Sequence, residues 1–169
     1  RMVRSYDAAR PVPVEALDAI LGAALRAPSA GFTQGVSLLV LSSAAERETF
    51  WRVVAEADSS WLRGMRSAPV LVAVWTSEEA YLDRYAEPDK GWTDRDPARW
   101  SAPYWFVDAG MACLAALLSA VDHDLGAELD APLRELPLEV GVHGRVGGHE
   151  ERSAALQVLV EQLEIGRAH

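Results

Sequence analysis

Ala27-Pro28-Ser29-Ala30-Gly31-Phe32-Thr33-Gln34-Gly35 runs straight into Val36-Ser37-Leu38-Leu39-Val40-Leu41. Ahead of it, residues 13–26 place Leu17, Ile20, Leu21, Ala24 and Leu25 at the spacing of an amphipathic helix. Pro28 ends that helix, because the residue before a proline is pushed out of the helical region. The apolar run 36–41 is that of a strand buried on both faces. Between them lies a small-residue loop that offers backbone amides, the Ser29 hydroxyl and the Gln34 carboxamide at the mouth of a sheet. Neutral groups of this kind fix the edge of a flat heterocycle without adding charge.

Working outward, Ser43-Ala44-Ala45-Glu46 reads as a capping box opening a helix that turns Phe50, Val53, Val54 and Ala57 inward. Pro69-Val-Leu-Val-Ala-Val-Trp75 is a second strand. Residues 105–121 are apolar nearly all round, as expected of a helix buried in the middle of a fold. Near the end, 137–146 reads as a strand by alternation. Residues 150–164 carry Ala154, Ala155, Val158, Leu159 and Leu163 at helical spacing. Helices alternating with buried strands predict an α+β fold, a central sheet with helices on both faces. The chain is expected to form one domain over 1–169.

Residues 76–104 stand apart, with Tyr81, Tyr85, Trp92, Trp100 and Tyr104 interleaved with acids and arginines. The segment is too aromatic for a solvated linker and too polar for a core. It reads either as a folded cap over a pocket or as an oligomer interface.

With 25 Asp+Glu against 16 Lys+Arg, the net charge is -9. A field of that sign repels nucleic acid and anionic membrane, which argues against polyanion binding. The single cysteine, Cys113, excludes an intrachain disulfide and lies in the apolar helix as a packed thiol. There is no basic-plus-apolar leader and no apolar run expected to span a bilayer, so a cytoplasmic protein is expected. The chain opens at Arg1 without a methionine, which suggests residues ahead of it. His143 and His149 lack ligand partners at zinc spacing. Gly144-Arg-Val-Gly147-Gly148 is not a dinucleotide fingerprint, and no Ser-His-Asp or Cys-His set supports hydrolysis.

Read together, Arg1-Met2-Val3-Arg4-Ser5-Tyr6-Asp7 and Pro28-Ser29-x-x-x-x-Gln34 resemble two motifs of the nitroreductase family of FMN-dependent oxidoreductases. The resemblance covers about residues 1–127. It implies an α-β-α sandwich, a homodimer with flavin sites built from both subunits, and hydride passed from NAD(P)H through FMN to a small planar acceptor. Arg1 and Arg4 fall where the family holds the FMN phosphate and the ribityl or pyrimidine edge, and guanidinium forks suit that dianion. Met2 stands where a hydroxyl is usual, leaving its backbone amide as donor. Pro28, Ser29, Ala30, Phe32 and Gln34 fall on the flavin loop. Phe32 replaces a common asparagine, and Gly35 replaces the usual proline.

Arg63 matches a basic position near the flavin pyrimidine, with Arg66 as a competitor. A cation there stabilises the reduced, anionic ring. Asp108-Ala-Gly-Met-Ala112 resembles the start of the family's central helix, with a small residue for close packing, and reads equally as plain core helix. In the 76–104 segment, Trp92, Trp100 and Tyr104 are the expected acceptor-stacking residues. Beyond 127 the resemblance ends. Glu128 to Pro132 occupies the place of the family's flavin N5 contact, and the strand and helix follow in reversed order. That departure raises an alternative, a non-catalytic flavin-binding or interaction protein on the same fold.

Overall fold

The computed structural model describes residues 6–54, 65–129 and the short strand 158–159. Arg1, Met2, Arg4, Arg63, Asp130, His143, His149 and the expected strand 137–146 lie outside the described residues. Strand β1, Val36–Leu41, pairs antiparallel with β2, Leu71–Thr76, in the register Val36↔Thr76 to Leu41↔Leu71. β2 pairs on its other side with β3, Val158–Leu159, giving the order β1-β2-β3. The apolar runs thus report two-sided burial rather than strand direction.

The period of 2 along each strand sorts the core into two layers. Leu38, Val70, Val72 and Val74 pack with Ile20 and Ala24 of helix α1, Val14–Leu25, and with helix α4, Tyr104–Asp122. Leu39, Leu41, Leu71 and Ala73 pack on the opposite face with Tyr6, Trp51 and Met65. Trp51 comes from helix α2, Ala44–Val54, so helices cover both faces of the sheet. The expected α-β-α sandwich is the observed one.

Local signals explain the elements. The capping box forms as read: Ser43 N–H donates to Glu46 Oε2 (2.9 Å), and Glu46 N–H donates to Ser43 Oγ (3.2 Å). The Ser43 backbone amide, foremost, holds the Glu46 carboxyl below its ordinary value of 4.5. This contribution to stability is present above that value and is lost as pH falls through the lowered one.

On α4 the inward face is Ala109, Ala112, Cys113, Ala116 and Ala120, small residues that let α1 approach. The other face corrects the expectation of a helix buried all round: Val107, Leu114, Leu118 and Val121 are exposed. The small residues that allow the approach of α1 are Ala109 and Ala112, while a Cβ placed on Gly110 would meet nothing within 4 Å among the described residues. This 19-residue helix is long and apolar enough to cross a membrane by length and composition alone, although Asp108 interrupts its apolar run. Here one of its faces forms the core against the sheet.

Two further expectations are corrected. Leu25 is half exposed, because it lies five residues from Ile20, roughly 140° around the helix. Val158–Leu159, read within a helix, are a strand on the edge of β2. In so short an apolar run the helical spacing of alanines and leucines does not exclude a β pairing.

Candidate functional site

The loop between α1 and β1 is held in a conformation its own residues do not favour. After α1, Arg26 and Ala27 donate back to Ala23 and Ala24 carbonyls (3.3 and 3.1 Å), and Pro28 stops the helix. A short 3-10 turn follows over Ala30–Phe32. Gly31, Phe32 and Gln34 all have left-handed backbones, with φ of 61°, 56° and 52°. For Phe32 and Gln34 that costs on the order of 1–2 kcal/mol each, so the surroundings must impose it.

Two long-range grips impose it. Asp108, one turn into α4 and 2% exposed, takes the Ala30 N–H on Oδ2 at 2.7 Å. The same oxygen accepts the Tyr81 hydroxyl at 2.8 Å, while Oδ1 has no hydrogen-bond partner among the described residues. Tyr81 is fully buried on helix α3, Glu78–Ala86. Burial first, and then the Asp108 bond, push its hydroxyl far above the ordinary 10.0, so it stays a donor. One helical turn on, Arg84 Nε donates to the Gly31 carbonyl at 2.8 Å. Its terminal nitrogens grip Asp89 at 2.7 and 2.8 Å, and the guanidinium holds the exposed Asp89 carboxyl below its usual 3.8.

Inside the loop most backbone amides are already used, which corrects the picture of a row of free donors. Phe32 N–H donates to Ser29 O (3.0 Å) and Thr33 N–H to Ala30 O (3.1 Å). Gln34 N–H donates to Ser29 Oγ (2.9 Å), so Ser29 braces the turn. What faces solvent is the Phe32 ring, 75% exposed, and the Gln34 side chain, whose carboxamide bonds to nothing among the described residues. A flat apolar ring and a neutral donor–acceptor group on a rigid backbone fit the face and edge of a planar heterocycle.

The 76–104 segment is the wall behind this loop. Trp100 packs against Tyr85 (ring centroids 4.4 Å apart), Trp92 (5.3 Å), Tyr104 (5.5 Å), Tyr81 (6.1 Å) and Trp105 (6.2 Å). Its charges pair at the surface instead: Arg99 with Asp94 at 2.7 Å, and Arg95 with Asp83 at 2.8 Å and with Glu79. That division explains a composition neither core-like nor linker-like. Trp92 and Trp100 are half-buried in the cluster, and Tyr104 at the start of α4 is exposed. The wall touches the loop closely, since a Cβ on Gly31 would lie 2.5 Å from Tyr85 Cε2.

Of the residues singled out in the sequence, the structure brings Ser29, Ala30, Phe32 and Gln34 into one turn, with Pro28 at its entry. Arg66 is exposed, and Tyr6 N–H donates to Ser67 Oγ (3.3 Å), placing Tyr6 beside the turn before β2. Glu128 is buried. Sequence reasoning missed the grips of Asp108, Tyr81 and Arg84. Their partners lie 78, 27 and 53 positions away, so no local spacing announces them.

The fold is shared with known proteins. The profile described as the nitroreductase family matches residues 1–128. No curated protein matches the chain significantly. A nitroreductase-type protein of Exiguobacterium sibiricum, solved in complex with FMN, superposes with a TM-score of 0.69 at 17% identity, covering 99% of this chain and 84% of that one. A nitroreductase family protein of Clostridium novyi gives 0.66 at 14%, covering 100% and 80%. An NADH-oxidase-type protein of Clostridium acetobutylicum gives 0.61 at 20%, covering 100% and 84%. Identities this low speak for the layered fold alone, but the profile spans most of the sequence, including the opening motif and the braced loop: the chain belongs to the nitroreductase family.

Proposed function

We propose that the chain is an FMN-dependent oxidoreductase that passes hydride from NAD(P)H to a nitroaromatic, quinone or similar planar acceptor. The observation that carries this reading is the loop 29–34, strained yet braced, with Phe32 and Gln34 turned to solvent. When bound, FMN supplies the two-electron chemistry, and the protein supplies binding and orientation. In this reading Pro28, Ser29, Ala30, Phe32 and Gln34 line the flavin ring. Arg1, Met2 and Arg4 grip the phosphate side, and Arg63 faces the pyrimidine. Trp92, Trp100 and Tyr104 form the wall of the acceptor pocket, with exposed Tyr104 the residue open to stacking. Tyr104→Ala should raise KM for aromatic acceptors and leave flavin reduction by NAD(P)H unchanged. Dimer dissociation with unaltered KM would make this surface an interface instead.

The exposed stripe Val107, Leu114, Leu118 and Val121 supports a homodimer, since an apolar face of this extent is ordinarily covered. A non-catalytic flavin-binding or interaction protein on the same fold is the second reading, favoured by the end of the family match at residue 128.

The phosphate grip has a direct test. Charge-assisted hydrogen bonds contribute about 1.5–3 kcal/mol, so Arg4→Ala should weaken FMN binding by about tenfold or more. Riboflavin, which lacks the phosphate, should bind both proteins equally. Equal losses for the two flavins would remove the phosphate role. Failure of the parent protein to bind either flavin would remove the proposed function.

A further inference from the structure

Ala30 and Gly31 are held from two different helices. The Ala30 N–H is taken by the Asp108 carboxylate of α4, and the Gly31 carbonyl is taken by the Arg84 guanidinium of α3. Each grip has the charge that its backbone dipole prefers, anion to donor and cation to acceptor. Each is also anchored: Tyr81 fixes the Asp108 oxygen, and Asp89 fixes the far end of Arg84. The left-handed residues Gly31, Phe32 and Gln34 begin immediately after the gripped amide. Besides the two grips, the turn is held only by short-range bonds: Phe32 and Gln34 N–H donate to Ser29, and the Thr33 N–H and hydroxyl donate to the Ala30 carbonyl, while Phe32 and Gln34 themselves disfavour a left-handed backbone. Arg84 is spent on the Gly31 carbonyl, Glu87 and Asp89, and Asp108 spends Oδ2 on Ala30 and Tyr81.

We infer that Asp108 and Arg84 are positioning residues that together clamp the Ala30–Gly31 segment, and that this clamp sets how tightly Phe32 and Gln34 hold the flavin ring. The inference rests on the function proposed above. It also ties the loop to the aromatic wall, because Arg84 and the wall residue Tyr85 are neighbours on α3.

The experiment uses the full flavin-free chain, titrated with FMN by fluorescence quenching, with visible circular dichroism of the bound flavin and amide hydrogen exchange of residues 29–35. Arg84→Ala and Asp108→Ala should each weaken FMN binding by about tenfold, alter the flavin dichroism and speed exchange in 29–35 while α1 stays protected. The double variant should lose little more than either single one, because both act on one segment. Asp108→Asn, whose carboxamide oxygen can still accept both hydrogen bonds, should restore FMN affinity to within about threefold.

Arg84 is on the surface side of the clamp, so Arg84→Ala keeps the test open if Asp108→Ala does not fold. A folded Arg84→Ala protein with parental FMN affinity and dichroism overturns the inference, whether or not exchange quickens. Fully additive losses, or no rescue by Asp108→Asn, overturn it as well. If the parent binds no FMN, the proposed function falls, and the proposed control of flavin grip falls with it. Exchange in 29–35 would then still report separately whether the clamp orders the loop.

Discussion

Gly35→Ala is expected to destabilise the protein by about 2–4 kcal/mol, a large effect for one methyl group. The added Cβ would sit 2.6 Å from Tyr81 Cε2 and 3.3 Å from Cδ2. Tyr81 cannot retreat, since it is fully buried and its hydroxyl is fixed on Asp108. Moving the ring therefore costs packing and also strips a hydrogen bond from a buried carboxylate. The resemblance puts a proline of the family at this position, and the clash argues against any Cβ there in this chain. Gly35→Pro, which restores the common residue, should be destabilising here too. Thermal unfolding of both variants checks this, and a parental melting temperature for either would contradict it.

The second large effect is at Tyr81 itself. Tyr81→Ala removes a ring that touches Trp100 and Trp105 and opens a cavity beneath the loop, at a cost of about 3–5 kcal/mol. Tyr81→Phe keeps the ring and removes only the hydroxyl, which should cost about 1–2 kcal/mol. The phenol also has a pH signature. Its value in the folded protein is raised above the ordinary 10.0, so its contribution is complete below pH 10 and declines as pH rises beyond it. Tyr81→Phe should therefore lose less stability than the parent on going from neutral to strongly alkaline solution. Denaturant unfolding at several pH values separates the two variants. Parallel alkaline losses in parent and Tyr81→Phe would mean the hydroxyl is not the buried donor.

The sequence was legible where a signal is local. The runs 36–41 and 69–75 announced β1 and β2 because both faces of each strand are buried. Ser43 and Glu46 announced α2 through a cap that closes within four residues. Pro28 and the small residues after it announced the loop. What stayed hidden depends on distance along the chain. Asp108 could be read as plain core helix until Ala30 and Tyr81 came to meet it. The outward face of α4 could not be told from its inward face, because alanine, leucine and valine supply both. Val158–Leu159 are a strand only because β2 lies alongside. The phosphate-side arginines rest on the family's opening motif rather than on geometry.

The proposed site in the braced loop would hold a flavin that NAD(P)H can reduce. The departure after residue 127 makes the rate informative, because hydride transfer needs donor and acceptor atoms about 3–3.5 Å apart, and small misplacements cost orders of magnitude. The decisive measurement is anaerobic stopped-flow mixing of the FMN-loaded protein with NADH or NADPH, followed at the flavin absorbance. Saturable bleaching is expected with at least one of the two, reversed when a quinone is added. An FMN-loaded protein that keeps its colour under both would contradict it and leave the non-catalytic flavin-binding reading in its place.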